Sequence, residues 1–272
     1  MKNLLFYFIG LFIFTMSCKN KDVIVCEPSV INITENGVTS IVSFAATADT
    51  KNAIRISEIN IYTATDSAET YLYTYSNGMV TKIDKKNATN TLVNTDSVFY
   101  NGAEIDRIDS YKNGTTKDQS ATFFYTSGKV SKIELAMKNG SGTFSKIAHT
   151  AFTYGAGSNA SVIEYYLDLS ALFTVVFGGT PTTYSPQLFV TTNKTFDSSP
   201  NPFAGEIFAP SISQLSIDMP YSANNFTSIN TVDANQKTSS QNYTITYNTD
   251  NLAETISEDT GKISYGIQYS CN

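Results

Sequence analysis

Residues 73–83 read YTYSNGMVTKI, and this stretch decides the fold. Asn77-Gly78 is a strong short hairpin signal, because a type I′ turn requires φ > 0 at both central residues. A hairpin closed there sets Ser76 opposite Met79, Tyr75 opposite Val80 and Tyr73 opposite Lys82. Side chains alternate along a strand. Tyr73, Tyr75 and Val80 are therefore expected on one face, and Leu72 and Ile83 together on the other. Working outward, the same surroundings return at Tyr100 (with Ile105 and Ile108) and at Tyr125 (with Val130 and Ile133). A fixed period of this kind means one supersecondary unit used repeatedly. Ser127-Gly128 closes the third unit as Asn77-Gly78 closes the first. In the second, Asn101-Gly102 brings the glycine one place early, so that turn must differ in type.

The pattern continues downstream. Tyr154 opens a longer version, YGAGSNASVI. Tyr221 has Phe226 and Ile229 at the same +5 and +8 offsets, and Tyr247 has Leu252 at +5 and Ile256 at +9. Six units result. Strands of about 5 to 8 residues with short turns fit two strands per unit. The expectation is an all-β antiparallel meander of roughly 16 to 20 strands, with Tyr75, Tyr100 and Tyr125 in a row on one sheet face. Residues 165–215 interrupt it with the apolar run EYYLDLSALFTVVFGG and a Pro/Ser/Thr-rich loop. Apolar periodicity does not decide between strand and helix over 166–177, and one or two helical turns over Asp168–Phe173 are an alternative to a strand.

The N-terminus gives an address. Lys2, an apolar stretch from Leu4 to Phe14, and Thr15-Met16-Ser17-Cys18 form an n-region, an h-region and small residues before a cleavage point. A cysteine directly after the h-region resembles a lipobox, with Thr15 where leucine is usual. That resemblance implies lipidation of Cys18, removal of residues 1–17 as a signal peptide, and a polar tether over 18–25. The alternative, an uncleaved membrane anchor, is disfavoured because the h-region is far shorter than the ~20 residues of a spanning helix. Residues 26–272 are then a single β-repeat domain, expected at the outer membrane and bound to the bilayer through Cys18, with the face of the membrane undetermined. Loss of Lys2 leaves 17 basic against 24 acidic residues, a net charge of −7. That balance, without a basic run, argues against nucleic acid or anionic membrane surfaces as partners.

Two cysteines remain beyond Cys18, one near each end: Cys26 and Cys271. In an envelope compartment a bonded pair is expected, with two buried thiols as the alternative. Such a bridge would set the first strand beside the last, as a sheet curling towards closure requires.

The Y-x-Y-x-x-G-x-V-x-x-I units resemble the YD repeats of Rhs-type proteins. The whole layout is similar to YD-repeat-like lipoproteins of the Bacteroidota. The matching order is lipobox, Tyr/Gly units, interruption, FDSSPNPF (Phe196 to Phe203), the segment Asn224 to Ser228, and ITYNTDNLAETIS. The YD dipeptide itself stands only as Phe196-Asp197. The resemblance implies a meander curling into a barrel-like or half-barrel sheet, and it carries no activity and no functional residues.

Residues that bear chemistry are few. His149 is the sole histidine and reads as a solvated strand residue. Glu104 and Asp106 alternate onto one strand face with Asp109 just beyond; paired carboxylates can run glycoside hydrolysis, but ordinary solvent-facing charge is the simpler reading. The acidic loops lack the ligand pattern of a calcium site, Gly178-Gly179 is not a phosphate loop, and no Gly-x-Ser-x-Gly elbow occurs. No cofactor or metal is expected. Asp66-Ser67-Ala68 and Asp96-Ser97-Val98 resemble the Asp-Ser/Thr-aliphatic O-glycosylation sequon, which makes Ser67 and Ser97 candidate acceptors. The function expected is a non-catalytic structural or binding module of the envelope, its partner an envelope protein, glycan or lipid. The alternatives are a carrier of an apolar ligand in a curled-sheet cavity and a glycan-active enzyme.

Overall fold

The computed structural model describes residues 26–48, 54–62, 69–155, 158–179, 183–202, 204 and 222–271. Cys18, the signal and tether, Ser67 and Tyr221 lie outside the described residues. The described residues form sixteen strands: β1 (Cys26–Glu35), β2 (Val38–Ala48), β3 (Ile54–Tyr62), β4 (Glu69–Ser76), β5 (Met79–Lys86), β6 (Leu92–Asn101), β7 (Glu104–Lys112) and β8 (Thr116–Thr126) lead. Then follow β9 (Lys129–Lys138), β10 (Phe144–Tyr154), β11 (Ala160–Leu167), β12 (Gln187–Pro200), β13 (Asn224–Asp233), β14 (Thr238–Tyr247), β15 (Ala253–Glu258) and β16 (Ile263–Cys271). One helix, α1 (Leu169–Phe177), joins β11 to β12. Each strand pairs antiparallel with its sequence neighbours, and β1 pairs with β16, so the sheet is a closed barrel. Cys26 and Cys271 are direct cross-strand partners in that closing ladder and are disulfide-bonded, with Cα atoms 4.0 Å apart.

The turns follow the sequence. Asn77-Gly78 and Ser127-Gly128 each have positive φ at both central residues, as a type I′ turn demands. At the second unit only Gly102 has positive φ, so this turn does differ in type and fits II′. A second turn device was not visible in the sequence. Asn87, Asn139, Asp233 and Asn248 each open a five-residue loop in the same way. The side-chain Oδ1 accepts from the backbone N–H groups two and four residues on, and the backbone N–H of the opening residue donates to the carbonyl four residues on.

The register of the first hairpin departs from expectation by one residue. Tyr75 pairs with Val80, but Thr74 pairs with Lys82 and Tyr73 with Ile83, leaving Thr81 as a bulge. Offsets of +5 and +8 differ by an odd number, so the two aliphatics would point to opposite faces of a regular strand. One extra residue between them returns both to the same face. Val80 and Ile83 are indeed both buried in the core, while Leu72 pairs with Asp84 on the other side. The bulge recurs at Asp106, Ser131, Ser161 and Glu254. At Thr81, Ser131 and Ser161 the bulged hydroxyl donates to the carbonyl of the residue before the repeat tyrosine: Thr74, Phe124 and Thr153. In the Tyr247 unit the turn is one residue longer, so Ala253 rather than Leu252 takes the inward place beside Ile256.

Tyr75, Tyr100 and Tyr125 line one inner face, all packed on the same core. The hydroxyl explains why the repeat uses tyrosine. Tyr100 donates to the Val80 carbonyl at 2.9 Å, Tyr125 bonds to the Ile105 backbone, and Tyr269 donates to the Ala253 carbonyl at 2.7 Å. Each ring thus fills the interior and ties its hairpin to a neighbour's bulge.

Sixteen strands in a round barrel would leave an aqueous channel. Here Tyr71, Ile59, Ile61 and Val42 are 0% exposed and Ile31 and Ile83 are 1%. An inner-face residue reaches that burial only if atoms from elsewhere cover it, so the interior is filled. Its character changes along the axis. Near the disulfide the inner wall is tyrosine and phenylalanine, then isoleucine and valine. Farther along come Glu69 paired with Lys85 at 2.8 Å, and Asp96, which accepts from Asn94 and Ser110. Burial pushes the Asp96 carboxyl above its ordinary value.

The outer wall is charged. Lys82 pairs with Asp84, Arg107 and Lys117 with Asp109, and Lys132 and Lys146 with Glu134, at 2.6 to 3.1 Å. Arg107 lies over the exposed Phe99 ring at 4.5 Å and Lys132 over Phe124 at 4.2 Å. These cations cover the outward aromatics with their stems and keep their heads in water.

Candidate binding surfaces

The barrel has two unlike ends. The near end carries the disulfide and the tight turns at 77–78, 102–103 and 127–128; the far end carries α1 and the loops at 87–91, 139–143 and 233–237. Strand 166–167 gives way to helix at Asp168, whose carboxylate caps it by accepting from Ala171 N at 2.9 Å. The other oxygen accepts from Ser185 N at 2.7 Å, which fixes the returning chain. These backbone donors, led by Ser185, hold the Asp168 carboxyl below its usual range despite its burial. Gly178, at positive φ, ends the helix. The helix runs four residues beyond Phe173, where the turns that the sequence allowed over 168–173 would end.

Ala171 and Val175 of α1 pack on Ile147 and Ala148, with Leu135, Met137, Tyr165 and Leu167 around them. By strand parity most of these point inward, so α1 covers part of the far mouth. Its other side is bare. Leu169 is 52%, Phe173 58%, Val176 58% and Phe177 77% exposed, and Leu188 and Phe189 continue the patch on β12. A cavity of about 590 Å³ opens beside it, lined by Leu167 to Ser170, Gln187 to Phe189 and Ala234 among others.

A second cavity, about 520 Å³, lies at the near end among Gly155, Asn159, Ser161, Phe196, Asp197, Ser198 and Asn224. It is framed by the FDSSPNPF segment, where the β12 ladder loosens between Phe196 and Pro200. Asp197 accepts from Ser199 N and from the Tyr247 hydroxyl. Asn159 and Asn224 bond to each other twice at 3.0 Å, and buried Ser222 and Asn225 hold the backbone behind them.

The residues singled out from sequence do not converge. Ser97 sits mid-strand on the outer wall, with Lys82 and Asp109 as its cross-strand partners. Glu104 and Asp106 are exposed, but Asp106 is the bulged residue and the two do not form a face with Asp109. Asp109 is 3% exposed beneath Arg107 and Lys117. Burial alone would raise its carboxyl, but hydrogen bonds from Lys117 and Ser120 and the two cations outweigh that and hold it low. His149 is not a freely solvated residue. Its ring stacks on Tyr166 at 4.4 Å and bonds to the Tyr184 hydroxyl at 2.8 Å; burial, then Lys132, lowers its affinity for a proton. Among the described residues no three His, Cys, Asp or Glu side chains gather as a metal site would require.

No protein-family model and no curated protein matches the chain. Solved structures do. A porin-like protein from Bacteroides uniformis is similar over 90% of this chain and 98% of its own, with a TM-score of 0.50 and 11% identity. A porin-like protein from Bacteroides vulgatus is similar over 90% and 99%, with a TM-score of 0.49 and 10% identity. A toxin complex, TcdB2-TccC3, covers 81% of this chain with 14% of its own, at a TM-score of 0.21. The first likeness shows a shared all-β barrel fold.

Proposed function

We propose that the protein is a lipid-anchored, non-catalytic binding module of the outer membrane, held by Cys18 and presenting its barrel to water. The observation that carries this reading is the distribution of charge. The ion pairs of Asp84, Asp109 and Glu134 stand on the outer wall, and the interior is filled, mostly by apolar side chains, with Glu69–Lys85 and Asp96 paired inside it towards the far end. A lipid-spanning barrel shows the reverse, and each Lys or Arg facing lipid at mid-depth would cost about 2–4 kcal/mol. The same filled interior offers no conduit. A disulfide between the chain's ends fits an oxidising compartment, and the porin-like neighbour from Bacteroides agrees with an envelope setting.

The non-catalytic part draws on the two cavities described above, both among the described residues. Each has a single carboxylate in its lining, Asp168 or Asp197, and each is already engaged by backbone or tyrosine donors. Two-carboxylate glycoside chemistry needs a facing pair about 5 to 10 Å apart. A second reading, a carrier of a small apolar ligand, draws on the cavity beside α1, whose size lies in the range of ligand sites.

Cys18→Ala is expected to move the protein from the membrane fraction to the soluble periplasmic fraction, or to leave an unprocessed precursor. A processed Cys18→Ala protein that still fractionates with membranes as fully as the parent would refute the anchor.

A further inference from the structure

We infer that the exposed face of α1 is a second membrane contact, a shallow apolar foot that rests on the neutral surface of the bilayer holding Cys18. The inference builds on the lipid-anchor reading above.

The face is built for burial. Leu169, Phe173, Val176 and Phe177 fall at i, i+4, i+7 and i+8, a single stripe on the helix side opposite Ala171 and Val175. With Leu188 and Phe189 they expose roughly 600 Å² of apolar surface, taking ~150–250 Å² per aromatic side chain. That is the upper end of what a monomer ordinarily leaves bare. Residues 169–177 contain no charged side chain, and the capping carboxylate of Asp168 is 2% exposed and already engaged by the N–H groups of Ala171 and Ser185. Nothing there would have to shed ionic hydration on entering lipid headgroups, and nothing there would recognise a charged partner.

The length of the tether permits a bilayer as the occupant. Cys18 is eight residues from Cys26, a reach of up to about 27 Å when extended. β11, which runs from the near end to α1, has eight residues, and so spans about 26 Å along its axis, less in height once tilted. The anchor can therefore lie level with the α1 face, and the foot and the lipid can meet one plane. A second copy is the competing occupant. Two such patches buried completely would give roughly 1,200 Å², the lowest figure for a stable interface, with no polar rim contributing. A bilayer needs no matching shape. Because the chain is net negative, the contact should favour zwitterionic over anionic lipid.

The test is flotation of the unlipidated domain, residues 26–272, with phosphatidylcholine vesicles, beside the full lipidated protein. The domain should co-float, and adding phosphatidylglycerol should weaken it. Phe173→Ser with Phe177→Ser should lower its partitioning roughly 100-fold, about tenfold for each phenyl ring withdrawn from lipid. Both rings are exposed, so the variant should keep the parent's circular dichroism and unfolding midpoint. If the lipidated protein floats and the domain does not, the foot is refuted and the anchor stands. If neither floats, the anchor fails as well. If the double variant floats like its parent, α1 is not the contact. If the domain sediments as a dimer that the double variant dissociates, the face belongs to a second copy and the inference is overturned.

Discussion

Replacing both bridge cysteines by serine (Cys26→Ser, Cys271→Ser) is expected to lower the unfolding free energy by about 2–5 kcal/mol. The bridge spans 245 residues. In the chain-entropy account, a loop of that length restricts the denatured ensemble by about 5 kcal/mol, and residual structure or native strain reduces the figure. The native fold should survive, because β1 and β16 are also joined by a ladder from Cys26–Cys271 to Glu35–Ile263. Urea denaturation of parent and double variant under non-reducing conditions measures the difference. A gap below about 0.5 kcal/mol, within the ordinary scatter of surface substitutions, would mean that closure by hydrogen bonding makes the bridge redundant.

The second large effect separates two leucine-sized side chains on adjacent strands. Ile83→Ala should cost about 2–5 kcal/mol, because Ile83 is 1% exposed between Tyr73 and Asp96 and the vacated volume cannot collapse freely. Leu72→Ala should cost under about 1 kcal/mol, since Leu72 stands on the outer wall beside Asp84 and Glu58. The contrast depends on the Thr81 bulge. Without it the two residues would share a face and a burial. Similar losses for both, measured by the same denaturation assay, would refute the register.

That pair also marks where the sequence stopped being legible. The 25-residue period, the Asn77-Gly78 and Ser127-Gly128 turns, the odd turn at Gly102, the antiparallel meander and the pairing of Cys26 with Cys271 could all be read in advance. Each is written in local turn chemistry or in spacing. The bulges could not, because a one-residue insertion has no compositional mark of its own. Its signal was the parity of the +5 and +8 offsets, together with a serine or threonine after the inward aliphatic at Thr81 and Ser131. The loops opened by Asn87, Asn139, Asp233 and Asn248 were hidden because one side-chain oxygen organises each turn, and the positive φ that follows falls on Asn90, Gln236 and Asn251 as well as on Gly142. Tyr100 and Tyr125 each bond to the backbone of a residue twenty places earlier, Val80 and Ile105, a contact that exists only after the sheet has formed.

The candidate surfaces were less legible than the fold. EYYLDLSALFTVVFGG is apolar throughout, so periodicity did not choose between strand and helix. The decision lay in Asp168, which caps α1 and also receives Ser185 from the returning chain. Burial of one side of α1 depends on Ile147 and Leu135 from other strands, which no local window contains. Asp109 reads as solvent-facing because its three partners, Arg107, Lys117 and Ser120, come partly from the neighbouring strand. FDSSPNPF stood out as a motif, yet its polar frame draws on Asn159, Ser222 and Tyr247, far away in sequence.

The central claim is that this barrel is filled within, wetted without, and spans no membrane. The most direct measurement takes residues 26–272, purified with no detergent, through sedimentation and planar-bilayer conductance. The account predicts a folded β-protein that stays in solution and opens no ion channel, whatever it binds peripherally. Aggregation that only detergent relieves, together with stable unitary conductance, would contradict it.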